Sequence, residues 1–88
     1  MKVTKINIKR IIEKDGLVGF ATIVIDDCLY LGNIAIFSRL NKEGYRLVFP
    51  EKKIGERKVS IFHPLTSQFY FLLEESINKQ IKDELNTA

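Results

Sequence analysis

The sequence has few of the residues that stabilise small proteins through disulfides, bound metals or large aromatic cores. It has one cysteine, one histidine and no tryptophan among 88 residues. Cys28 cannot form a disulfide framework alone, and one cysteine with one histidine gives too few ligands for a structural zinc. A chain of this length builds only a modest hydrophobic core. Because neither disulfides nor a metal adds to that core, we predict that a homodimer supplies further buried area.

Long apolar runs are also absent, and polar residues interrupt every stretch well before the ~20 residues that a transmembrane helix needs. The start, Met1–Thr4, lacks the apolar segment of a signal peptide. We therefore expect no signal peptide and no membrane association. Together with a lone cysteine, which suits a reducing compartment, this predicts a cytoplasmic location.

The sequence lacks the usual constellations of catalytic residues. His63 has no serine or cysteine nucleophile in a recognisable setting, so we interpret it as a structural residue that hydrogen-bonds the start of a helix. Asp26 and Asp27 are adjacent in a turn, and the five glycines are too scattered for a phosphate-binding loop. We predict no enzyme activity, no cofactor, no bound metal and no small-molecule substrate.

Charge is unevenly distributed along the chain. The net charge is +3 and the sequence pI is about 9.1. Residues 1–63 carry 12 Lys/Arg and 7 Asp/Glu, whereas residues 64–88 carry 2 and 4. Such an excess of positive charge fits either an ordinary solvated surface or an acidic partner.

Apolar and β-branched stretches predict an antiparallel meander. The predicted strands are Val3–Ile12, Leu17–Ile25, Cys28–Phe37, Tyr45–Phe49 and a short Val59–Phe62. Turns are predicted at Glu13–Gly16, Asp26-Asp27 and Asn41–Gly44, with a bulge at Gly32-Asn33. We expect Ile6, Ile8 and Ile12 to share the apolar face of the first strand. Cys28 is predicted to be a small buried hydrophobe.

The apolar period changes after Pro64, from that of a strand to that of an amphipathic helix. The apolar positions are Leu65, Phe69, Leu72, Leu73, Ile77, Ile81 and Leu85. Thr66 or Ser67 is a suitable N-cap, and the helix should run for four to five turns. No linker or repeat divides the chain. The sequence thus predicts one α+β domain over residues 1–88, a four- to five-stranded antiparallel meander followed by a helix that packs on one face.

Two basic groups are candidates for binding. Four cations lie within the predicted loop from Glu51 to Lys58: Lys52, Lys53, Arg57 and Lys58. They could neutralise phosphates together, or form a solvated hairpin tip. On the first strand, Lys5 and Lys9 share a face and suit the protection of a sheet edge. Arg10 is a further candidate for phosphate contact.

Three segments, in this order and spacing, resemble the SpoVG family: Met1–Thr4, Phe49–Lys53 and Ile61–Leu65. The resemblance covers nearly the whole chain. It implies a homodimeric bacterial regulator that binds DNA and, in some members, RNA, and that is linked to septation, sporulation, cell division and transcription regulation. The alternative is a protein–protein adaptor, in which exposed aromatic residues and sheet edges bind another polypeptide.

One segment departs from the family pattern. Where the family has Ser-Ser-Thr-Arg at the start of the last helix, with the arginine associated with nucleic-acid binding, this chain has Ser67–Tyr70. Tyr70 and Phe71 are predicted to lie off the apolar stripe. Either could stack on a base or fill a dimer interface. The resemblance further implies that Tyr70→Arg would strengthen binding.

Overall fold

The computed structural model describes residues 2–40 and 43–87, with side chains through residue 84. In those ranges the elements are β1 (Val3–Lys14), β2 (Leu17–Ile25), β3 (Leu29–Ser38), β4 (Tyr45–Val48), β5 (Glu51–Ile54), β6 (Arg57–Ser60) and α1 (Ser67–Thr87). The first four strands form an antiparallel sheet in the order β1-β2-β3-β4, and β5 and β6 form a separate two-stranded hairpin. The predicted α+β class, a meander followed by a helix, is confirmed.

Aspartates and a glycine with positive φ close the first two turns of the meander. Asp15 and Gly16 have φ values of 52° and 90°, and Asp26 and Asp27 have 51° and 54°. Glycine adopts this left-handed region freely and aspartate tolerates it, which suits tight hairpins. Both predicted turns are therefore confirmed.

The prediction for Cys28 is wrong. Its side chain is exposed, and it is the last residue of the turn rather than the first of β3. The Cys28 N–H donates to the carbonyl of Ile25 over 3.0 Å and so closes the turn. The turn therefore takes three residues, and the buried positions begin only further along β3.

The predicted Gly32-Asn33 bulge is present in β3. Ala21 pairs with Ile34, but Ile23 pairs with Leu31, so β3 has one more residue than β2 in this interval. The asparagine has a φ of 58°. The extra residue resets the alternation of β3 and keeps apolar side chains on the core face both before and after the bulge.

The core lies between one face of the sheet and α1. Its buried side chains are Ala21, Ile23, Ile25, Ile34, Ile36, Leu47, Leu73, Ile77 and Ile81. Thr66 is the N-cap, because its Oγ1 accepts the Phe69 N–H over 3.2 Å. The helix has 21 residues, which is longer than predicted. The side chain of Leu85, and Asn41 and Lys42 of the predicted third turn, lie outside the described part of the structure.

Two further predictions need correction. Ile12 is 94% exposed, because the pairing of β1 with β2 becomes irregular between Arg10 and Lys14. The regular alternation of buried and exposed faces along β1 therefore does not continue to Ile12. The predicted loop over residues 51–58 is the β5–β6 hairpin, whose second strand begins two residues earlier than expected. Within the described ranges, no helix is long and apolar enough to cross a bilayer.

Candidate nucleic-acid interface

The β5–β6 hairpin carries all four cations of the predicted loop. Lys53 pairs with Lys58, and Ile54 pairs with Arg57 across a turn that contains Gly55. Opposite residues share a face and neighbours along a strand point to opposite faces. Lys53 and Lys58 therefore share one face, and Lys52 and Arg57 share the other. The expectation that both basic pairs would face one ligand is corrected, because each face takes one cation from each strand.

Every residue from Glu51 to Ser60 is exposed, so both faces of this hairpin are open. Among the described residues, no carboxylate forms an ion pair with its cations. Lys53 and Lys58 are like charges directly opposite each other, which destabilises a hairpin. An anion bound between them would relieve that repulsion.

Aromatic rings attach the base of the hairpin to the helix. The Ile61 N–H donates to the carbonyl of Pro50 over 2.9 Å, which extends the pairing beyond the two strands. The ring of Phe49 makes edge contacts with Phe62, at 6.0 Å between centroids, and with Tyr70, at 6.1 Å. The hairpin cations are thus carried by an element that begins next to the first turns of α1.

Tyr70 lies on the packed side of the helix, which corrects the expectation that it lies off the apolar stripe. The Leu47 N–H donates to the Tyr70 hydroxyl over 3.2 Å, and the hydroxyl donates to the Leu47 carbonyl over 3.3 Å. Burial is the main cause that raises the pKa of the Tyr70 phenol above its usual value. The structure therefore gives Tyr70 a packing role next to β4.

Asn78 also hydrogen-bonds the backbone of β4, at Tyr45, two residues before Leu47. Its Oδ1 accepts the Tyr45 N–H over 2.8 Å, and its Nδ2 donates to the Tyr45 carbonyl over 3.1 Å. Tyr45 and Leu47 both point their backbone groups away from β3, towards the free edge of β4. Side chains of α1 thus satisfy an edge that would otherwise expose unpaired N–H and C=O groups.

The remaining candidates lie at separate places. Arg10 is exposed and pairs with Gly19, on the opposite face of β1 from Lys5 and Lys9. β1 is an edge strand, as the protective interpretation of the two lysines requires. The structure does not bring Arg10 into the hairpin. Phe71 is 56% exposed beside the Tyr70 ring.

The contact that His63 makes agrees with its interpretation as a structural residue at the start of the helix. Its Nδ1 lies 3.0 Å from the carbonyl of Pro64, just before the N-cap. Among the described residues, no three His, Cys, Asp or Glu side chains come together as a metal site would require. His63, Pro64 and Thr66 also line an apolar groove of about 380 Å³ with Leu29, Leu31, Phe49, Phe62, Leu65, Phe69 and Leu73.

Comparison with known proteins relates this arrangement to one family. The SpoVG family profile matches residues 1–83. The chain belongs to the SpoVG family. A relative from Borrelia hermsii (strain HS1 / DAH), named "Putative septation protein SpoVG", is 33% identical over 89 residues, which cover 96% of this chain and 90% of the relative. A relative of the same name from Phytoplasma australiense is 32% identical over 87 residues, covering 98% and 88%. The predicted resemblance is confirmed.

Sequence reasoning missed a second group of residues, on the sheet face opposite α1. There the Arg46 guanidinium lies 4.9 Å from the centroid of the Phe37 ring, in a cation–π contact. The two residues are paired across β3 and β4. In the sequence, Phe37 and Arg46 each lie next to an apolar residue, Ile36 and Leu47, and this alternation predicts that they point away from the core. That Phe37 and Arg46 contact each other follows only from the register of β3 with β4.

Proposed function

We propose that this SpoVG-family chain is a homodimeric nucleic-acid-binding regulator with a role related to septation or sporulation. The observation that carries the proposal is the exposed β5–β6 hairpin, with four cations and no carboxylate partner among the described residues. Phosphate contacts of Lys and Arg supply most of the sequence-independent affinity for nucleic acid. The names of the two relatives support the septation link.

The test is binding of duplex DNA and of RNA across a salt series. Each phosphate-contacting cation contributes roughly one unit to the slope of log affinity against log salt. The Lys52→Ala/Lys53→Ala double variant should therefore bind all sequences more weakly, with a slope flatter by about one unit when one hairpin face contacts phosphate and about two units when both do. Lys79→Ala/Lys82→Ala on α1 removes the same charge elsewhere and is the matched control. If both double variants lost the same affinity, the loss would come from the change in net charge rather than from the hairpin.

The hairpin register allows a sharper comparison. One double variant, Lys53→Ala/Lys58→Ala, removes both cations from one face of the hairpin. The other, Lys52→Ala/Arg57→Ala, removes both cations from the opposite face. The second face also presents Ile54, 57% exposed. If nucleic acid contacts one face, one double variant should flatten the salt slope much more than the other. Full affinity in both would contradict a phosphate-binding hairpin.

We further propose that the apolar groove at the helix start is the contact between two copies. Leu65, 90% exposed, stands at its rim, and exposed Leu29 continues it. Water-exposed apolar surface of this kind marks interaction sites. Sedimentation should give twice the chain mass, Leu65→Glu should give the monomer, and Ile12→Glu, equally exposed outside the groove, should leave the dimer intact.

The second candidate function is the protein–protein adaptor, which the same apolar groove favours. It would replace the first proposal if the chain sediments as a monomer and binds neither DNA nor RNA at low salt. A dimer that binds nucleic acid with hairpin-dependent salt slopes would exclude it as the main activity.

A further inference from the structure

The face of the four-stranded sheet that α1 does not cover combines aromatic rings with cations. Lys5 pairs with Val24, which pairs with Tyr30, and Lys9 pairs with Phe20. Cross-strand partners share a face, so these residues lie on the side opposite the buried isoleucines. We call this surface the helix-free face and define it by Lys5, Lys9, Phe20, Tyr30, Phe37 and Arg46.

The aromatic side chains of the helix-free face are accessible. Tyr30 is 71% exposed and Phe20 is 38% exposed. Tyr30 makes no ring contact with another described aromatic residue. Its ring lies next to the backbone of Gly32, and most of its surface stays accessible for stacking. Exposed rings interleaved with cations are the arrangement on which unpaired bases stack while the backbone is neutralised.

A cleft of about 190 Å³ lies beside Tyr30 on this face, lined by Lys5, Asn7, Thr22, Val24 and Tyr30. Asn7 pairs with Thr22 across β1 and β2. An amide and a hydroxyl together offer donors and acceptors to a base edge or a sugar hydroxyl. Lys5 places a cation at the same cleft. The cleft thus combines a stacking surface, hydrogen-bonding groups and a phosphate-binding charge.

Charge identifies the kind of occupant. Among the residues of the strands β1 to β4 themselves, Glu13 is the only acidic one, and it lies beyond the regular part of the β1–β2 pairing. Other carboxylates lie at the ends of the strands, in the turns: Asp15, Asp26, Asp27 and Glu43. A second copy docked symmetrically on the middle of this face would bring together surfaces whose strand residues carry Lys5, Lys9 and Arg46 but no carboxylate in the regularly paired part. Like-charge contacts of that kind are costly. The face is therefore suited to an anionic partner rather than to itself.

We propose that the helix-free face binds single-stranded RNA, with a base stacked on Tyr30 and the cleft reading its edge or its 2′-hydroxyl. RNA is favoured because its loops and ends present unpaired bases, and its 2′-hydroxyl can bond Asn7 or Thr22. The inference rests on the proposed nucleic-acid function and adds a second surface with a different ligand form. The hairpin supplies charge for any strand, whereas this face requires unstacked bases.

The experiment compares four proteins: wild type, Tyr30→Ala, Tyr30→Phe and Lys52→Ala/Lys53→Ala. Each is titrated with an unstructured RNA of about 12 nucleotides, the DNA strand of the same sequence and a DNA duplex of the same length. Loss of one stacked base should weaken RNA binding by Tyr30→Ala roughly 5- to 100-fold and leave duplex binding unchanged. Tyr30→Phe should bind RNA like the wild type.

The lysine double variant separates the two proposals, because it should weaken binding of duplex and single strand alike. Unchanged RNA affinity in Tyr30→Ala would overturn the stacking site while leaving the hairpin proposal intact. DNA single strand bound as tightly as RNA would overturn the choice of RNA. If the wild type bound none of the three probes at low salt, the proposed function itself would fail.

Discussion

Replacement of Tyr70 by phenylalanine tests whether the helix satisfies the free edge of β4. The change removes one hydroxyl and keeps the ring contacts with Phe49 and Phe71. It deletes the hydrogen bonds at 3.2 Å and 3.3 Å to the Leu47 N–H and carbonyl. No other described side chain reaches those two backbone groups, so they lose their partner together.

The expected loss of stability follows from burial. A hydrogen bond contributes a net ~0.5–1.5 kcal/mol, and a group left unsatisfied in a buried place costs ~1–3 kcal/mol. Leu47 is 5% exposed, but Tyr70 is only partly buried and water can approach its side of the strand. We therefore expect Tyr70→Phe to lower the free energy of unfolding by about 1–2 kcal/mol, which for a chain of this size lowers Tm by roughly 4–15 °C.

Chemical denaturation measures the free energy of unfolding and a thermal melt measures Tm, each for Tyr70→Phe and for the wild type. Tyr30→Phe is the matched control, since Tyr30 is mostly exposed and its hydroxyl has no partner among the described residues, and it should leave Tm unchanged. Equal Tm values for Tyr70→Phe and the wild type would refute the edge-satisfying role. The variant should also aggregate faster on heating, because an open edge strand pairs with other chains.

Three further outcomes are expected. Because burial raises the folded-state pKa of Tyr70 above 10.0, its contribution should be present below pH 10 and lost as pH rises through the folded-state value, and Tyr70→Phe should show less of this alkaline loss in denaturation curves. Arg39→Met should cost about 2 kcal/mol of unfolding free energy, because it leaves the Glu74 carboxylate, 10% exposed, without its cation; the added change Glu74→Gln should restore part of that loss, and no recovery would contradict the pair. Cys28 should react with a thiol reagent at similar rates in the native and unfolded states, and slow native reaction would contradict its exposed turn position.

Local signals predicted the meander well. The limits of β2, Leu17–Ile25, match because an Asp-Gly turn precedes it and an Asp-Asp turn follows it, and each turn is specified by its own residues. The N-cap at Thr66 was predictable for the same reason. Features decided within a few residues could therefore be read directly from the sequence.

Features decided across the fold could not. Ile12 follows the apolar alternation of β1, but β1 has two more residues than β2 between the Arg10–Gly19 and Lys14–Leu17 pairs, so its exposure depends on the pairing with β2. The bonds from Tyr70 to Leu47 span 23 residues, and those from Asn78 to Tyr45 span 33. Likewise, the four hairpin cations were identified from the sequence, but their division between two faces depends on the register of β5 with β6.

The position of Tyr70 also bears on the proposed phosphate binding, because this chain has a tyrosine where the resemblance leads us to expect an arginine. The Tyr70 hydroxyl is engaged by Leu47 both as acceptor and as donor, so replacing it with arginine would gain a charge at the cost of those bonds. Arg39 already contributes a positive charge near this position, which would disfavour a second one. Tyr70→Arg is therefore expected to destabilise the fold, whatever it adds to binding. Exposed cations, among them those on the β5–β6 hairpin and on the helix-free face, could bind phosphate without such a loss.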